Sequence, residues 1–350
     1  MFDSRYYGEV MRAFGYSPIA FEPISFSLGG LAKEDLQRQW LCHMDGTRFA
    51  RMLQSGRKAI VTTGFGLSGI PHMGTLAQIL KAIRLQQAGV PVQIVLGDLD
   101  AYNGKNIDLG YAHELAISYA RFIADLGFNS ARPNALRNQH DALPTLRYAY
   151  LIGHHLADAD LEQAEEDLHD LYSQQKKVDS AMSYRRKLSL NLMIADFIEL
   201  LALDGFDAVL VSLGIDEHKY VDLGRTVFQR QTAQSGALGG KVYSAMYSSI
   251  IRGFNGYPKM SKSFPDSGLS VDMPLEEIER SIMHGEMVTP FPETNVVFQM
   301  IASVSRFSNE QIREAYTECR KQSRGWTCIK QDYTKHLFQI CRAWPKRSLS

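Results

Sequence analysis

The segment Gly64-Phe65-Gly66-Leu67-Ser68-Gly69-Ile70-Pro71-His72-Met73-Gly74 constrains the fold more than any other part of the chain. It follows the apolar, β-branched run Ala59 to Thr63 and precedes the helical pattern of Leu76 to Gln87. A strand, a glycine-rich loop and a helix in that order build a βα unit. Its helix N-terminus, with unpaired N–H groups and the positive end of the dipole, receives phosphate. The alternation returns downstream. Val92 to Leu96 reads as a second strand, Tyr111 to Leu126 as a helix stopped by Gly127, and Ala208 to Leu213 as a buried strand that runs into Gly214-Ile215-Asp216-Glu217-His218 and another helix. Strands alternating with helices pack as a parallel, doubly wound sheet, so the expected class is α/β of Rossmann type.

Two helical regions interrupt or follow that pattern. Between His154 and Lys187, Leu161, Leu168, Leu171 and Tyr172 recur on one face while Asp160, Glu165, Glu166, Asp167 and Asp170 fall on others, as in an insertion spanning about residues 150–189. Further on, Asp272 reads as an N-cap with Pro274 near the first helical position and Gly285 as the stop, and Ser308-Asn309-Glu310-Gln311 has the form of a capping box. The expected organisation is an N-terminal extension over 1–57 packed on the core, a catalytic α/β domain over 58–263, and a helical C-terminal domain over 264–350.

Composition excludes several classes. With 45% hydrophobic and 22% charged residues over 350 positions, the chain has the make-up of a globular protein large enough for one substantial core. No apolar run approaches the ~20 residues that span a bilayer, and Met1-Phe2-Asp3-Ser4-Arg5 lacks the regions of a signal peptide, so no membrane association and a cytoplasmic location are expected. Cys42, Cys319, Cys328 and Cys341 form no C-x-x-C pair, so neither a metal site nor a disulfide framework is expected. Net charge is zero but unevenly spread: residues 151–170 hold seven acidic and no Lys or Arg side chains, whereas 301–350 hold ten basic against four acidic, a net of +6. A polyanion would dock on the C-terminal side.

The chemistry is concentrated in a second segment, Tyr257-Pro258-Lys259-Met260-Ser261-Lys262-Ser263. Two ammonium groups on a short Gly/Pro-bounded loop suit the neutralisation of a triphosphate as charge moves to a departing pyrophosphate. Solvated loop lysines are the bland alternative. Coupled to the glycine loop, the segment points to ATP-dependent adenylation, with no nucleophilic triad or metal cluster in the sequence to argue otherwise.

The two segments resemble the paired signatures of class I aminoacyl-tRNA synthetases, His-Ile-Gly-His and Lys-Met-Ser-Lys-Ser. The second is matched at every position from Lys259 to Ser263, and the first at His72 and Gly74, with Met73 a mild exchange and Thr75 a departure. A third block, Leu190 to Ile198 followed by Val211 to Arg225, is similar to the tryptophanyl and tyrosyl group, as is the segment Ser323 to Asp332. In tryptophanyl members a Met packs on the indole ring and an Asp accepts the indole N–H; the matching residues are Met193 and Asp196, one helical turn apart. Indole offers one donor and no acceptor, so that pairing is chemically sound.

The resemblance implies catalytic roles for Lys259, Lys262 and His72. It implies ATP contacts from Gly64, Gly66, Ser68, Gly69, Gly74, Thr75, Gly214, Asp216, Met260, Ser261 and Ser263, with Asp216 also suited by position to a ribose hydroxyl. Met193, Asp196 and Glu217 would meet the amino acid. ATP with Mg²⁺, an aromatic amino acid and tRNA are the implied ligands, and a homodimer the implied assembly. Thr75, Glu217 (Gln in the family) and Ser189 (Tyr in bacterial members) depart from the pattern. Asp196 has a second reading, a salt bridge to a nearby base, since a buried carboxylate costs several kcal/mol unless paired. The basic run Arg185-Arg186-Lys187 reads as a solvated helix face. A tyrosyl enzyme, a tRNA-independent amide or ester ligase built on the same adenylation chemistry, and a non-catalytic amino-acid sensor remain as alternatives.

Overall fold

In the computed structural model, residues 2–20, 23–165, 167, 169–174, 181–261 and 264–345 are described. The first apolar run forms strand β3 (Ala59–Gly66), which pairs in parallel with β4 (Val92–Gly97) on one side and β6 (Ala208–Gly214) on the other. β5 (Ala135–Asn138) adds to β4, and β7 (Val242–Ser248) adds to β6, both parallel. Every residue of β4, β6 and β7 is buried, as expected of strands covered on both faces. The chain therefore winds outward from β3 in two directions. The crevice between β3 and β6, above the strand C-termini, is the switch point where ligands bind in such sheets.

The extension over 1–57 completes this sheet. β2 (Cys42–Met44) pairs antiparallel with β7, and β1 (Ser17–Pro18) pairs antiparallel with β2, giving the order β1-β2-β7-β6-β3-β4-β5. Alternate residues of the strands face two separate apolar cores. Val61 and Leu210 join one with the Met73–Gln87 helix, and Ile60, Val209 and Val211 join the other with the Tyr184–Ala202 helix. The C-terminal helices Leu275–His284, Val296–Ser303, Asn309–Lys321 and Arg324–Cys341 share the first core, through Ile278, Ile301, Ala315 and Tyr333 among others. Cys42, Cys319 and Cys341 are buried free thiols. Among the described residues no helix is long and apolar enough to cross a membrane.

Several expected boundaries move, each for a tertiary reason. The Met73–Gln87 helix starts three residues earlier than its apolar pattern because His72 caps it. The expected Asp272 cap is not formed: the helix begins at Leu275 with Pro274 as N-cap residue, and the Asp272 carboxylate instead accepts from the Ser270 hydroxyl. The Ser308 capping box forms as read. The 154–187 region breaks into Gly153–His155, Asp158–Glu162 and His169–Gln174 before the long helix opens at Tyr184. Glu166 and Leu168, assigned to that pattern, lie outside the described residues.

Candidate active site

The glycine loop and the lysine loop meet above the ends of β3 and β6, around a cleft of about 210 Å³. His72, Gly74, Thr75, Gly66, Ser68, Gly214, Asp216, Glu217, Lys259, Met260 and Ser261 all line it. An inner recess of about 60 Å³ opens from it and is lined by Gly64, Gln139, Met193, Asp196 and Phe197. Phe65, Gly66, Asp100, Met193 and Glu217 line both, so the two spaces are contiguous.

His72 closes the N-terminus of its helix. Its Nδ1 accepts from the N–H of Gly74 at 3.0 Å and of Thr75 at 3.4 Å, which leaves the proton of the neutral imidazole on Nε2. A Cβ on Gly74 would stand 2.8 Å from His72 Cε1, so glycine is what lets the ring fold back over the helix end. The backbone of 269–271 clamps the same signature: Met73 N–H donates to the Leu269 carbonyl at 3.1 Å, and Val271 N–H to the Pro71 carbonyl at 3.0 Å. That clamp belongs to the segment just after the lysine loop, and it ties the two signatures into one frame.

Lys259 Nζ reaches Asp216 Oδ2 at 2.6 Å, with both side chains largely buried. Met260 is buried and anchors the loop from beneath, while the Ser261 N–H donates to Ser267 Oγ at 2.9 Å. Lys262 and Ser263, assigned to catalysis and ATP contact, lie outside the described residues. Two other expected ATP contacts are placed differently. Gly64 lines the inner recess rather than the outer cleft, and a Cβ there would meet the Val95 carbonyl at 2.8 Å. Gly69 lines neither space; its carbonyl accepts from the Tyr119 hydroxyl at 2.9 Å.

In the recess Asp196 lines the cavity and is also salt-bridged, as its second reading has it. Oδ1 accepts from Arg137 at 2.9 Å and Oδ2 from Gln139 Nε2 at 2.7 Å. The same Arg137 nitrogen also bonds Glu199, which takes a further bond from the Thr145 hydroxyl. One guanidinium serves two buried carboxylates three residues apart on a helix. Burial pushes both up, Asp196 to about 6 and Glu199 to about 7, against the opposing pull of Arg137.

Asp100 stands where cleft and recess join. Its Oδ1 accepts from the Ser189 hydroxyl, and the Arg186 guanidinium lies 3.7 Å away. A Cβ on Gly66 would come within 2.7 Å of Asp100 Oδ2, so that glycine leaves the carboxylate its place. Ser189, a departure from the family pattern, thus has a defined partner. Arg137, Gln139, Asp100 and Arg186 were not legible as site residues. For Asp100 a signal existed, since it lies just past the C-terminal end of β4, where such sheets place functional side chains.

One charge reading is corrected: Arg186 is not part of a solvated face, since it lines the cleft and bonds the Tyr220 hydroxyl at 2.6 Å, whereas Lys187 bonds the exposed Asp158 at 2.7 Å. The acidic stretch is correspondingly neutralised from neighbouring helices. Asp160 pairs with Arg230 at 3.0 Å, and Asp167 pairs with Lys219 at 2.7 Å. Burial alone would raise Asp167, but hydrogen bonds from His218, Lys219 and Tyr6 outweigh it and hold the carboxyl well below the usual range. Tyr6 belongs to the N-terminal Ser4–Phe14 helix, whose Tyr7 hydroxyl accepts from the N–H of Ile250 in the cleft wall at 3.1 Å.

A doubly wound sheet carrying a helix-capping histidine and a lysine loop across one switch-point crevice has the architecture of a nucleotide-binding α/β protein. The model of the class I tRNA synthetases (W and Y) matches residues 54–333, and the chain belongs to that family of ATP-using aminoacyl-tRNA ligases. It is 23% identical over 330 residues to a tryptophan–tRNA ligase of Aeropyrum pernix, covering 90% of this chain and 84% of that one. A tryptophan–tRNA ligase of Hyperthermus butylicus is 22% identical over 293 residues, covering 79% and 74%. In fold, the crystal structure of the Aeropyrum pernix tryptophanyl-tRNA synthetase superposes with a TM-score of 0.77 at 20% identity, over 97% of this chain and 92% of that one. A tyrosyl-tRNA synthetase of Archaeoglobus fulgidus gives 0.67 at 18% identity, over 86% and 93%.

Proposed function

We propose that the chain activates tryptophan with ATP and passes it to tRNA. The observation that carries the reading is the inner recess, where Met193 forms a wall and Asp196 an acceptor next to the nucleotide cleft. An indole ring fits an apolar space with one acceptor, because it has a single donor to satisfy. Arg137 and Gln139 hold the Asp196 carboxylate in one orientation, and each of its oxygens keeps a further lone pair for the ligand.

Activation joins a carboxylate oxygen of the amino acid to the α-phosphorus of ATP as the bond to pyrophosphate breaks. His72 at the helix N-terminus meets the phosphates, and Lys259 with Lys262 neutralises the charge gathering on the leaving group. Mg²⁺ would arrive on the phosphates of ATP. Such an ion would supply additional charge neutralisation there. In the cleft a hydroxyl of the tRNA 3′ end then attacks the acyl carbon of the adenylate and AMP leaves, while the body of the tRNA docks on the side of the basic C-terminal helices, where Arg320, Lys321 and Arg324 are exposed. A homodimer is supported by exposed apolar side chains on two packed helices, Leu143, Tyr150 and Leu151 on one and Tyr184 and Leu188 on the other.

Amino-acid-dependent ATP–pyrophosphate exchange tests the reading. Tryptophan is expected to support it best; a tenfold preference for tyrosine or a non-aromatic amino acid, about 1.4 kcal/mol, rejects the assignment. Reversing the charge at Arg320, Lys321 and Arg324 is expected to reduce tRNA charging and leave exchange nearly intact. Brisk exchange with no tRNA bound or charged would move the activated amino acid to a small-molecule acceptor instead. Sedimentation of the intact chain tests the dimer.

A further inference from the structure

Asp167, in the helical insertion, lines neither the cleft nor the recess, yet it gathers the segment that carries Asp216 and Glu217. Those two residues sit in one tight turn, Ile215–Glu217, between the end of β6 and the His218–Ser235 helix. The helix opens at Glu217 without a side-chain cap bond, and its first residues are held from elsewhere in the chain. The N–H of Asp167 donates to the Asp216 carbonyl at 3.4 Å. Its carboxylate meets Lys219 Nζ at 2.7 Å on Oδ1 and His218 Nε2 at 3.4 Å on Oδ2, and the Tyr6 hydroxyl of the N-terminal helix donates to Oδ2 as well. His218 is 1% exposed and is held on its far side too, with Nδ1 3.3 Å from the Tyr16 hydroxyl and the Phe14 ring edge-on at 4.4 Å. A carboxylate only accepts, so Nε2 carries a proton and Tyr16 meets the opposite nitrogen. The imidazole is thereby fixed at both ends, two residues from Asp216.

The Asp216 carboxylate has little freedom of its own. A Cβ on Gly214 would lie 2.5 Å from its Oδ1, and its Oδ2 pairs with Lys259 at 2.6 Å. Moving the turn therefore moves the lysine contact and the acceptor offered to the nucleotide together, and a displacement of about 1 Å is enough to cost a site much of its effect. We propose that Asp167 is a positioning residue for the nucleotide: through His218 and the Asp216 carbonyl it fixes the turn from which Asp216 meets both ATP and Lys259. The inference rests on the nucleotide cleft proposed above and adds to it a residue that lies outside the cleft, in the insertion.

The test is a double-mutant cycle on ATP affinity, read by calorimetry without amino acid, over wild type, Asp167→Ala, Asp216→Ala and the pair, with a melting curve for each. Asp167→Ala is expected to weaken ATP binding about tenfold in the wild-type background and about twofold or less where Asp216 is already gone. Asp167→Asn, which keeps an acceptor for His218, should recover part of the affinity. Tyr6→Phe removes one hydroxyl and leaves the carboxylate its other partners, so it should act in the same direction but less. In pyrophosphate exchange, Asp167→Ala should raise the ATP KM while the amino-acid KM stays within about twofold, because Asp196 is held by Arg137 and Gln139 instead. Equal losses of ATP affinity in the two backgrounds would overturn the proposal, as would a lowered melting temperature with ATP affinity intact. If Asp167→Ala does not fold, Tyr6→Phe carried through the same cycle decides on the same terms. Coupling in a protein where no aromatic amino acid supports exchange would sink the reaction and leave the positioning role standing. Brisk exchange with additive losses does the reverse.

Discussion

In the outer cleft, His72, Gly74 and Thr75 come from one short stretch and Lys259, Met260 and Ser261 from another, and much of their geometry is set by neighbours within a few residues. In the inner recess, Gln139 from the loop after edge strand β5 and Asp196 from a helix some sixty residues on face the cavity, and behind them Arg137 of β5, Glu199 of the same helix and Thr145 of a third element complete the polar network. Local capping and a close-fitting glycine build the first. Convergence of distant charges in a buried space builds the second. The first therefore tolerates loss of a functional group with its fold intact, whereas the second couples binding to stability.

Arg137→Met is the strongest way to break that contrast. It leaves Asp196 and Glu199 buried beside each other with no cation, a change expected to cost about 3–5 kcal/mol and to raise the amino-acid KM. Chemical denaturation with exchange kinetics reads both. A variant as stable as wild type would show the recess to be no more coupled than the cleft.

Lys259→Ala is the counterpart in the cleft. On the role proposed for it, neutralising charge that develops in the transition state, it should lower kcat for exchange on the order of 10²-fold with a much smaller loss of ATP affinity. Equal losses in affinity and no loss in kcat would place its role in ground-state binding. Asp216, left without this partner, keeps the loop's effect on stability measurable in the same variant.

A third measurement sharpens the contrast through pH. Glu199 is raised from 4.5 to about 7, so its ionised form is disfavoured in the folded protein. A raised carboxyl binds its proton more tightly when folded. The cost is fully present above pH ~7 and is relieved as pH falls toward 4.5, with about 1.4 kcal/mol per pH unit between those two values as an upper scale. Wild type should therefore gain stability relative to Glu199→Gln on acidification from about pH 8 to about pH 5. Parallel pH profiles of the two proteins would remove the burial penalty assigned to Glu199.

The same division decides what was legible in the sequence. Buried strands β3, β4 and β6 announce themselves as continuous apolar runs, and the two signatures are contiguous, so the sheet and the outer cleft could be read directly. β5 could not: Ala135-Leu136-Arg137-Asn138 is short, half polar and lies at a sheet edge, and with it went Arg137 and Gln139. The charge run Arg185-Arg186-Lys187 misled at Arg186 for a related reason, because its acceptor, the Tyr220 hydroxyl, lies about thirty residues away. Gln39, whose carboxamide has no partner among the described residues, left no trace in sequence, since only the assembled cleft shows what it lacks.

The C-terminal helices carry the contrast to its smallest scale. Ser308 caps its helix reciprocally with Gln311 through bonds of 3.2 and 2.9 Å, a purely local device. Asp272 has comparable sequence credentials, yet its segment is fixed elsewhere: Ser270 bridges to His72, Val271 bonds Pro71, and the chain turns through Met273 before the helix can start at Leu275. Ser308→Ala should cost about 1 kcal/mol, as loss of an N-cap does, and Asp272→Ala only a few tenths, as an exposed side chain bonded to one serine hydroxyl does. Paired melting curves compare them directly. A larger loss at Asp272 would mean that its carboxylate supports the turn joining the two signatures, and the exchange rate of that variant would then fall as well.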